Sequence, residues 1–576
     1  MKNTSFCLLL LSFFTACQND DNSRESSTDK KNTQAIGCYV PATSDKEWYA
    51  SGKKAPLFNG LEGIHFTVTT KNKEAQAYFN QGMMLAYGFN HAEAARSFYE
   101  ATRLDSNCAM AYWGFAYVLG PNYNGGMESD NFERAYAGAA KATALSEQCT
   151  PMEKALIKAL SVRYAKEPPA DRKPLDIAYA AAMKKAYSQF PDHPDIGSLY
   201  AESLMDLHPW DLYEKNTKQP REWTPEIVAI LEHLMKKNPS HPGAHHFYIH
   251  VLESSGTPEK ALPSASLLNN LVPGSGHLVH MPSHIYINTG DYHLGSLSNI
   301  KAVEVDSNYT TACHAQGVYP LSYYPHNYHF LAATATLEGN SKLAYASANK
   351  LKNQLSTDIM RMPGWGTVQH YSTIPYFIAV KFSFWDSILA LPAPEKDLIY
   401  PRAIWHYARG LAFLGKKDIP QAEQEWNKLS TLANDSSLLQ LTIWGINTTA
   451  DIAHIASDVL AGEIAAAKGD LTDCIKKLQR AIRMEDQLNY DEPPDWFFSV
   501  RHHLGAVYIK AGKYPEAEKI YREDLKKLKR NGWALIGLHE AMKGQGKNAE
   551  ANETLKEFEN AWQYADVRIT SSSPMK

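Results

Sequence analysis

The sequence contains no glycine-rich phosphate loop ending in Lys-Ser or Lys-Thr, no G-x-S-x-G nucleophile elbow and no dinucleotide-binding glycine fingerprint. No signature of nucleotide hydrolysis, serine-type hydrolysis or hydride transfer is therefore present. An excess of either charge is lacking too. In 576 residues, 58 Lys and Arg stand against 62 Asp and Glu, for a formal net charge of −4, which suggests neither nucleic acid nor a strongly acidic partner. The basic stretch "EDLKKLKRNG" lies at a helix end and reads as a solvated face. Cysteine is scarce, at seven residues, and its spacing matches no metal finger. Long apolar runs are missing: the run Phe6–Phe14 is too short to span a bilayer. The hydrophobic content, 44%, is ordinary for a globular chain.

The start, "MKNTSFCLLLLSFFTACQNDDNS", has a basic residue, that short apolar run and then Phe-Thr-Ala-Cys, the layout of a secretory signal. Its ending resembles a bacterial lipoprotein signal, in which the residues before the cysteine are removed and Cys17 is lipidated. The resemblance implies a signal over 1–17, a membrane partner through the anchor, and a place in the cell envelope on the periplasmic or outer-surface side. The polar tract from Gln18 to about Thr33 cannot bury a core, so 18–55 reads as a tether and lead-in. An exported chain can form disulfides, and Cys108 with Cys149, at the ends of one predicted hairpin, is the candidate pair.

What is abundant is a repeat. "WFFSVRHHLGAVYIKAGKYPEAEKIYREDL" reads as two amphipathic helices joined by Gly512-Lys513-Tyr514, with Gly505, Tyr508, Ala517 and Tyr521 at the small and large positions of a tetratricopeptide (TPR) repeat. "NGWALIGLHEAMKGQGKNAEANETLKEF", "AIWHYARGLAFLGKKDIPQAEQEW", "DVLAGEIAAAKGDLTDCIKKLQRAI" and "EAQAYFNQGMMLAYGFNHAEAARSFYEATRLDSN" repeat it. The expected fold is all-α: a TPR superhelix, or α-solenoid, of about a dozen helical hairpins over 56–565, followed by a tail over 566–576. The first helix of each hairpin (A) lines the concave face and the second (B) the outside. The stretches Gly120–Asn131 and Trp210–Glu226 exceed a minimal repeat and are candidate groove-capping loops. The motifs "AQAYFNQG", "YGFNHAEAARSF", "CAMAYWG", "GPNYN", "HPGAHHFYIHVLE", "GHLVHMPSHIY", "YYPHNYHF" and "NGWALIGL" together resemble a family of bacterial, often exported, TPR proteins of unestablished function. That resemblance implies the fold and no reaction.

Eleven of the 22 histidines fall between His241 and His329. With the interhelical glycine of each hairpin set at position 15, positions 2, 5, 9 and 12 of helix A share one face. Gly256 then places His246, His250 and Glu253 on the concave wall. Gly290 places His277, His280 and His284 there, and Gly339 places His326 and His329. His370 comes out near position 2 of the next repeat, and His293 lies off the face in a turn. Pro282 inside a helix A removes a backbone hydrogen bond and loosens the expected positions of His277 and His280.

Helices packed about 8–10 Å apart let such imidazoles converge on one ion. The expected ligands are His246, His250, His280, His284 and His329, around 240–375. His277, His326, His370, Tyr324 and Trp210 are placed as ligand-binding groups. Glu253 and Glu202 are the candidate acids or bases, Glu202 following Ala201 onto the concave face. Imidazole suits Zn, Cu and Fe alike, so the metal stays open. His91 reads as a turn residue, and Asn122 and Asn124 either reach the groove mouth or make the turn. His502 is concave but remote unless the superhelix curls back. Three functions remain open: a groove that binds a transition metal with or without chemistry there, an interaction scaffold for a protein or peptide, and a metal-free binder of a small ligand or peptide.

Overall fold

The computed structural model describes residues 46–313 and 319–575. The anticipated signal, Cys17 and most of the tether lie outside the described residues. Among those residues, no helix is long and apolar enough to cross a membrane.

Among the described residues, twelve helical hairpins follow one another: Lys73–Tyr87 with His91–Leu104, Ala109–Val118 with Phe132–Ala144, Pro151–Leu160 with Lys173–Gln189, Pro194–Met205 with Thr224–Lys237, Pro242–Glu253 with Leu262–Leu271, the broken pair Gly276–His280 and Pro282–Thr289 with Tyr292–Cys313, Tyr324–Leu337 with Ser341–Asn353, Gly366–Lys381 with Trp385–Ala390, Ile399–Gly415 with Ile419–Ala433, Thr449–Ala467 with Leu471–Gln487, Arg501–Lys510 with Tyr514–Lys527, and Gly532–Gly544 with Asn548–Ala561. The only strands among the described residues are Thr442–Ile443 and Asn447–Thr448, paired antiparallel.

The repeat residues show why hairpins stack. A Cβ on Gly82 would meet the Phe98 ring at 2.7 Å, and one on Gly114, in the next hairpin, would meet the same ring at 2.3 Å. Tyr521 is wedged in the same way between Gly505 and Gly537, at 2.3 and 2.2 Å. One large side chain of helix B thus packs onto the small residue of its own helix A and of the following one, so each hairpin completes its neighbour's core. This is the TPR packing rule, and the fold is the all-α TPR superhelix the sequence predicts. The A-to-B turns use glycine where the chain needs left-handed backbone, as at Gly290 (φ +82°) and Gly512 (φ +71°).

Two features position the site. The buried apolar residues form two large clusters, one ending in the region of Ile285 and Tyr323 and the other starting at Ile287, so the histidine-bearing helices sit where the two cores meet. The array also curls back on itself. Arg530 donates to the Thr289 carbonyl at 2.7 Å and pairs with Asp291 at 2.8 Å, and the Tyr292 hydroxyl donates to the Lys529 carbonyl at 2.7 Å. Residues near 490–530 therefore close over the repeats that carry the histidines.

The anticipated Cys108–Cys149 disulfide is not made. Both are buried free thiols; Cys108 sits at the N-cap of Ala109–Val118, and Cys149 turns its sulfur toward the Leu145 carbonyl, 4.0 Å away. The tail packs onto the last repeats: Ser572 donates to the His502 carbonyl at 2.7 Å and meets the Tyr521 hydroxyl at 2.6 Å.

Candidate metal centre

Histidine density alone misleads here, because some of the cluster is spent on structure. His241 is the N-cap of Pro242–Glu253: its Nδ1 accepts from the Ala244 amide at 3.1 Å, with Pro242 at the first helical position. His245 is satisfied by Ser264 at 2.9 Å and by the Pro239 carbonyl at 2.8 Å. His293 pairs with Glu338 at 2.8 Å and stacks on Tyr564.

The remaining imidazoles converge. Three groups of donors each gather ligand atoms within 4.8 Å of one another: His246, His250 and His277; His280, His284 and His326; and Glu253, His284 and Glu492. All eight side chains are buried, and the most exposed, His326, is 9% accessible. Pro282 ends one short helix at His280 and opens the next at itself, but the backbone stays helical through Met281, whose amide still reaches the His277 carbonyl at 3.0 Å. His277, His280 and His284 consequently keep one face in common. A second anchor fixes His277: its amide donates to the Tyr319 hydroxyl at 3.0 Å, and Tyr319 donates to Asp306 at 2.8 Å. Asp306 lies so close that a Cβ on Gly276 would fall 1.8 Å from its Oδ1.

The hydrogen bonds assign the nitrogens. Asn299 spends its amide group on the Gly295 carbonyl at 2.8 Å, which turns its oxygen to His280 Nδ1 at 2.6 Å. His280 Nδ1 is then the N–H, and Nε2 carries the lone pair. That Nε2 faces His284 Nε2 at 2.9 Å, and His246 Nε2 faces His277 Nε2 at 3.1 Å. Ligand nitrogens of a tetrahedral ion, at about 2.0–2.1 Å from it, lie about 3.3 Å apart, close to both spacings. On the far side, one oxygen of Glu253 takes His250 Nδ1 at 3.1 Å and the other lies 2.8 Å from His284 Nδ1. Glu492 also lies 2.8 Å from His284 Nδ1. These last two contacts have the distance of an ion pair without the alignment of a hydrogen bond.

Electrostatics follow from burial and these pairings. Burial, then the neighbouring imidazoles, hold His246, His277 and His326 well below the usual histidine range, and burial and His284 do the same to His280. His250 is lowered by burial in spite of Glu253. Burial opposes charge on His284 too, but Glu253 and Glu492 outweigh it and raise that group to about 10. Glu253, desolvated yet flanked by His250 and His284, is lowered to about 2, while burial raises Glu492 to about 7. Without metal the site is thus a set of neutral imidazoles with one imidazolium, His284, beside two carboxyl groups; His284 ligates an ion only on giving up its Nε2 proton.

Aromatic rings wall it. Phe89 packs on His246, His250 and His277 with centroids 4.7, 5.7 and 5.4 Å away; Trp210 and Tyr123 pack on His250 at 6.0 and 5.3 Å; Trp444 packs on His326 at 5.9 Å. Phe89, Trp210 and Trp444 also carry left-handed backbone (φ +52°, +60° and +52°). Such strain, of order 1–3 kcal/mol for a non-glycine residue, persists where the surroundings over-determine it, and here it aims three walls at one place. Beyond Phe89, Tyr323 and Trp444 lies a cavity of about 110 Å³ whose polar lining includes His91, Asn122 and Asn124. The His91 ring meets the Asn122 side chain at 3.4 Å, so the turn and the capping loop build this mouth together.

The expected residues therefore divide. His246, His250, His277, His280, His284, His326 and Glu253 are brought together, with Trp210 on their wall. His329 and His370 are not: they face each other at 5.7 Å, His329 stacked on Phe497 and His370 bonded to the Tyr400 hydroxyl at 2.8 Å. Tyr324 turns to Tyr328, and it is Tyr323 that packs on His277, at 5.0 Å. Glu202 belongs to another buried group, where it takes the Tyr117 hydroxyl near Arg163. His502 bridges Lys381, at 2.9 Å, and Asp524, at 3.0 Å. Sequence reasoning missed Glu492, Asn299, Phe89 and Trp444. Phe89 stands inside the quoted "YGFNH" motif, whereas no local signal links Glu492 to residues more than two hundred positions away.

No family model matches the chain, and no curated protein matches it. Similar solved structures include a human IFIT1 dimer with m7Gppp-AAAA (TM-score 0.31, 14% identity, covering 87% of this chain and 92% of that one). Yeast Tom70 is another (TM-score 0.30, 13% identity, 84% and 97% covered). At such scores neither likeness bears on what this chain binds.

Proposed function

We propose that this protein binds a transition metal in the concave groove of its TPR superhelix, through histidines of consecutive A helices. The observation that carries this reading is the facing of ring nitrogens. Buried imidazole nitrogens meet one another at 2.9 and 3.1 Å, and His250 Nε2 and His326 Nδ1 have no hydrogen-bond partner. Each facing pair can close on one N–H···N bond, but His250 Nε2 and His326 Nδ1 are left over; buried polar atoms are ordinarily paired, and metal held among the rings would pair them. The all-nitrogen donor sets favour Zn, Cu or Fe over Mg or Ca. An ion held by three imidazoles keeps a position for water or a small ligand. Glu253 spends both oxygens on imidazoles, so its role in this reading is to orient them rather than to act as a free base.

Metal analysis of untagged protein, grown with Zn, Cu and Fe supplied, tests the reading. It expects stoichiometric metal that is lost in His250→Ala/His284→Ala. Metal-free wild type under those conditions sinks it. The envelope location, the Cys17 anchor and membership of the exported bacterial TPR family are part of the same proposal and rest on the sequence alone. Globomycin-sensitive processing with loss of membrane attachment in Cys17→Ser is the expected outcome for the anchor.

A second reading, a scaffold for a protein partner, draws on the outer face. Leu294, Leu297 and Ile300 expose 46, 48 and 40% of their surfaces along helix Tyr292–Cys313. Partners captured in a pull-down that survive chelation and are lost in Leu294→Glu/Leu297→Glu would support it.

A further inference from the structure

We propose that the centre takes two transition-metal ions, one on His246, His250 and His277 and one on His280, His284 and His326, with Glu253 joining the two sets. The inference rests on the metal-binding reading above and adds the number of ions and the role of each ligand.

Six imidazoles are too many for one ion of the tetrahedral kind, which takes four donors. They also do not point to one place. The head-on Nε2 pairs form within each set, His246 with His277 at 3.1 Å and His280 with His284 at 2.9 Å, never between the sets. Each set gathers one nitrogen from each of three residues within 4.8 Å. The sets are neighbours: His250 and His284 have ring centroids 5.9 Å apart, and His277 and His280 6.0 Å.

The outer contacts divide the same way. A metal-bound histidine ordinarily gives its other ring N–H to a carboxylate or carbonyl, which fixes the ring and its tautomer. In the first set His250 Nδ1 turns to one Glu253 oxygen at 3.1 Å. In the second, His284 Nδ1 lies 2.8 Å from the other Glu253 oxygen and His280 Nδ1 lies 2.6 Å from the Asn299 oxygen. Glu253 is thus a positioning residue for both ions, and Glu492, at 2.8 Å from the same His284 nitrogen, backs it up. Helix geometry explains the economy. His250 and Glu253 are one turn apart on Pro242–Glu253, so a single carboxylate at the helix end reaches its own histidine and the one across the groove. Three imidazoles per ion leave coordination positions on both for a small ligand, and the aromatic walls keep bulk water from the pair.

The test uses the full-length, untagged chain, stripped by chelation and titrated with Co(II) and with Zn(II). The proposal expects an end point of two equivalents per chain. His277→Gln and His326→Gln are each expected to keep one equivalent, and the double variant none. Glu253→Gln is expected to keep two, each bound about 10–100-fold more weakly. A wild-type end point of one equivalent, abolished by either single substitution, overturns the two-ion inference while leaving the metal reading intact. No stoichiometric binding overturns both. The wild-type end point requires no variant, so it decides the matter even if a substitution unfolds the chain.

Discussion

Replacing His284 with alanine in metal-free protein is the sharpest perturbation of the groove. His284 lies 2.8 Å from both Glu253 and Glu492, all three buried, and its ring also packs on Phe330 at 4.6 Å. Removing one partner of a buried pair costs about 3–5 kcal/mol, chiefly because the charge left behind is uncompensated. The pH for the measurement follows from His284 and Glu253. His284 is raised to about 10, so its contribution is fully present below about 6.5 and is lost as pH rises through 10. Glu253 is lowered to about 2, so its contribution is present above about 4.5 and is lost as pH falls through 2. Near pH 6 both contribute in full, so the substitution is measured there. A repeat array need not unfold in one step, so the readout is hydrogen exchange of Pro242–Glu253 and Pro282–Thr289 with chelator present. His284→Ala should lower protection there by about 3–5 kcal/mol, and adding Glu253→Gln should recover a good part by removing the stranded charge. A cost below about 1 kcal/mol, or strict additivity of the two substitutions, would refute the electrostatic account of the clamp.

Gly276→Ala places a methyl 1.8 Å from Asp306 and should shift the Tyr319–His277 anchor, costing about 1–3 kcal/mol and weakening metal binding; unchanged metal affinity would show that this anchor does not set the position of His277. Phe98→Ala empties the wedge shared by Gly82 and Gly114 and should destabilise the first two hairpins by about 3–5 kcal/mol, read by local hydrogen exchange, with little effect on protection of Gly532–Gly544 at the far end. Burial, with Arg163 adding to it, lowers His91 to about 4, and burial lowers His370 to about 3. Their neutral folded forms contribute stability that is fully present above about pH 6.5 and drains as pH falls toward those values, at about 1.4 kcal/mol per pH unit for each. His370→Gln should flatten the acid limb between pH 6 and 4 by that amount in a denaturation series, and an unchanged slope would show that His370 is protonated in the folded chain.

How far the groove could be read in advance depends on which helix a residue rides. The fold was legible because TPR packing is a nearest-neighbour rule: Phe98 and Tyr521 each need only the small residue of their own hairpin and of the next, and both relations sit within a short stretch of chain. Helix register likewise set His246, His250 and Glu253 on one face of Pro242–Glu253, and it survived Pro282 because Met281 stays helical. Register alone is not enough at His329. Counted from Gly339 it belongs on the concave wall, and in the fold it does lie on a buried inner face, but Phe497 has come over from the far end of the chain and stacks on it. The same closure of the superhelix sets Glu492 against His284 and Trp444 on His326. Local pattern reports which face of a helix a side chain occupies. It carries no information on what a curled array lays against that face, since curvature accumulates from small rotations between many hairpins. The groove should therefore depend on the C-terminal repeats as much as on the helices that bear its histidines. Arg530, bonded to the Thr289 carbonyl and Asp291, is the residue through which that dependence can be measured. Arg530→Ala touches no ring of the cluster, yet it should loosen the seat of Glu492 and lower metal affinity. Wild-type affinity in that variant would mean the histidine helices hold their geometry without the closing half.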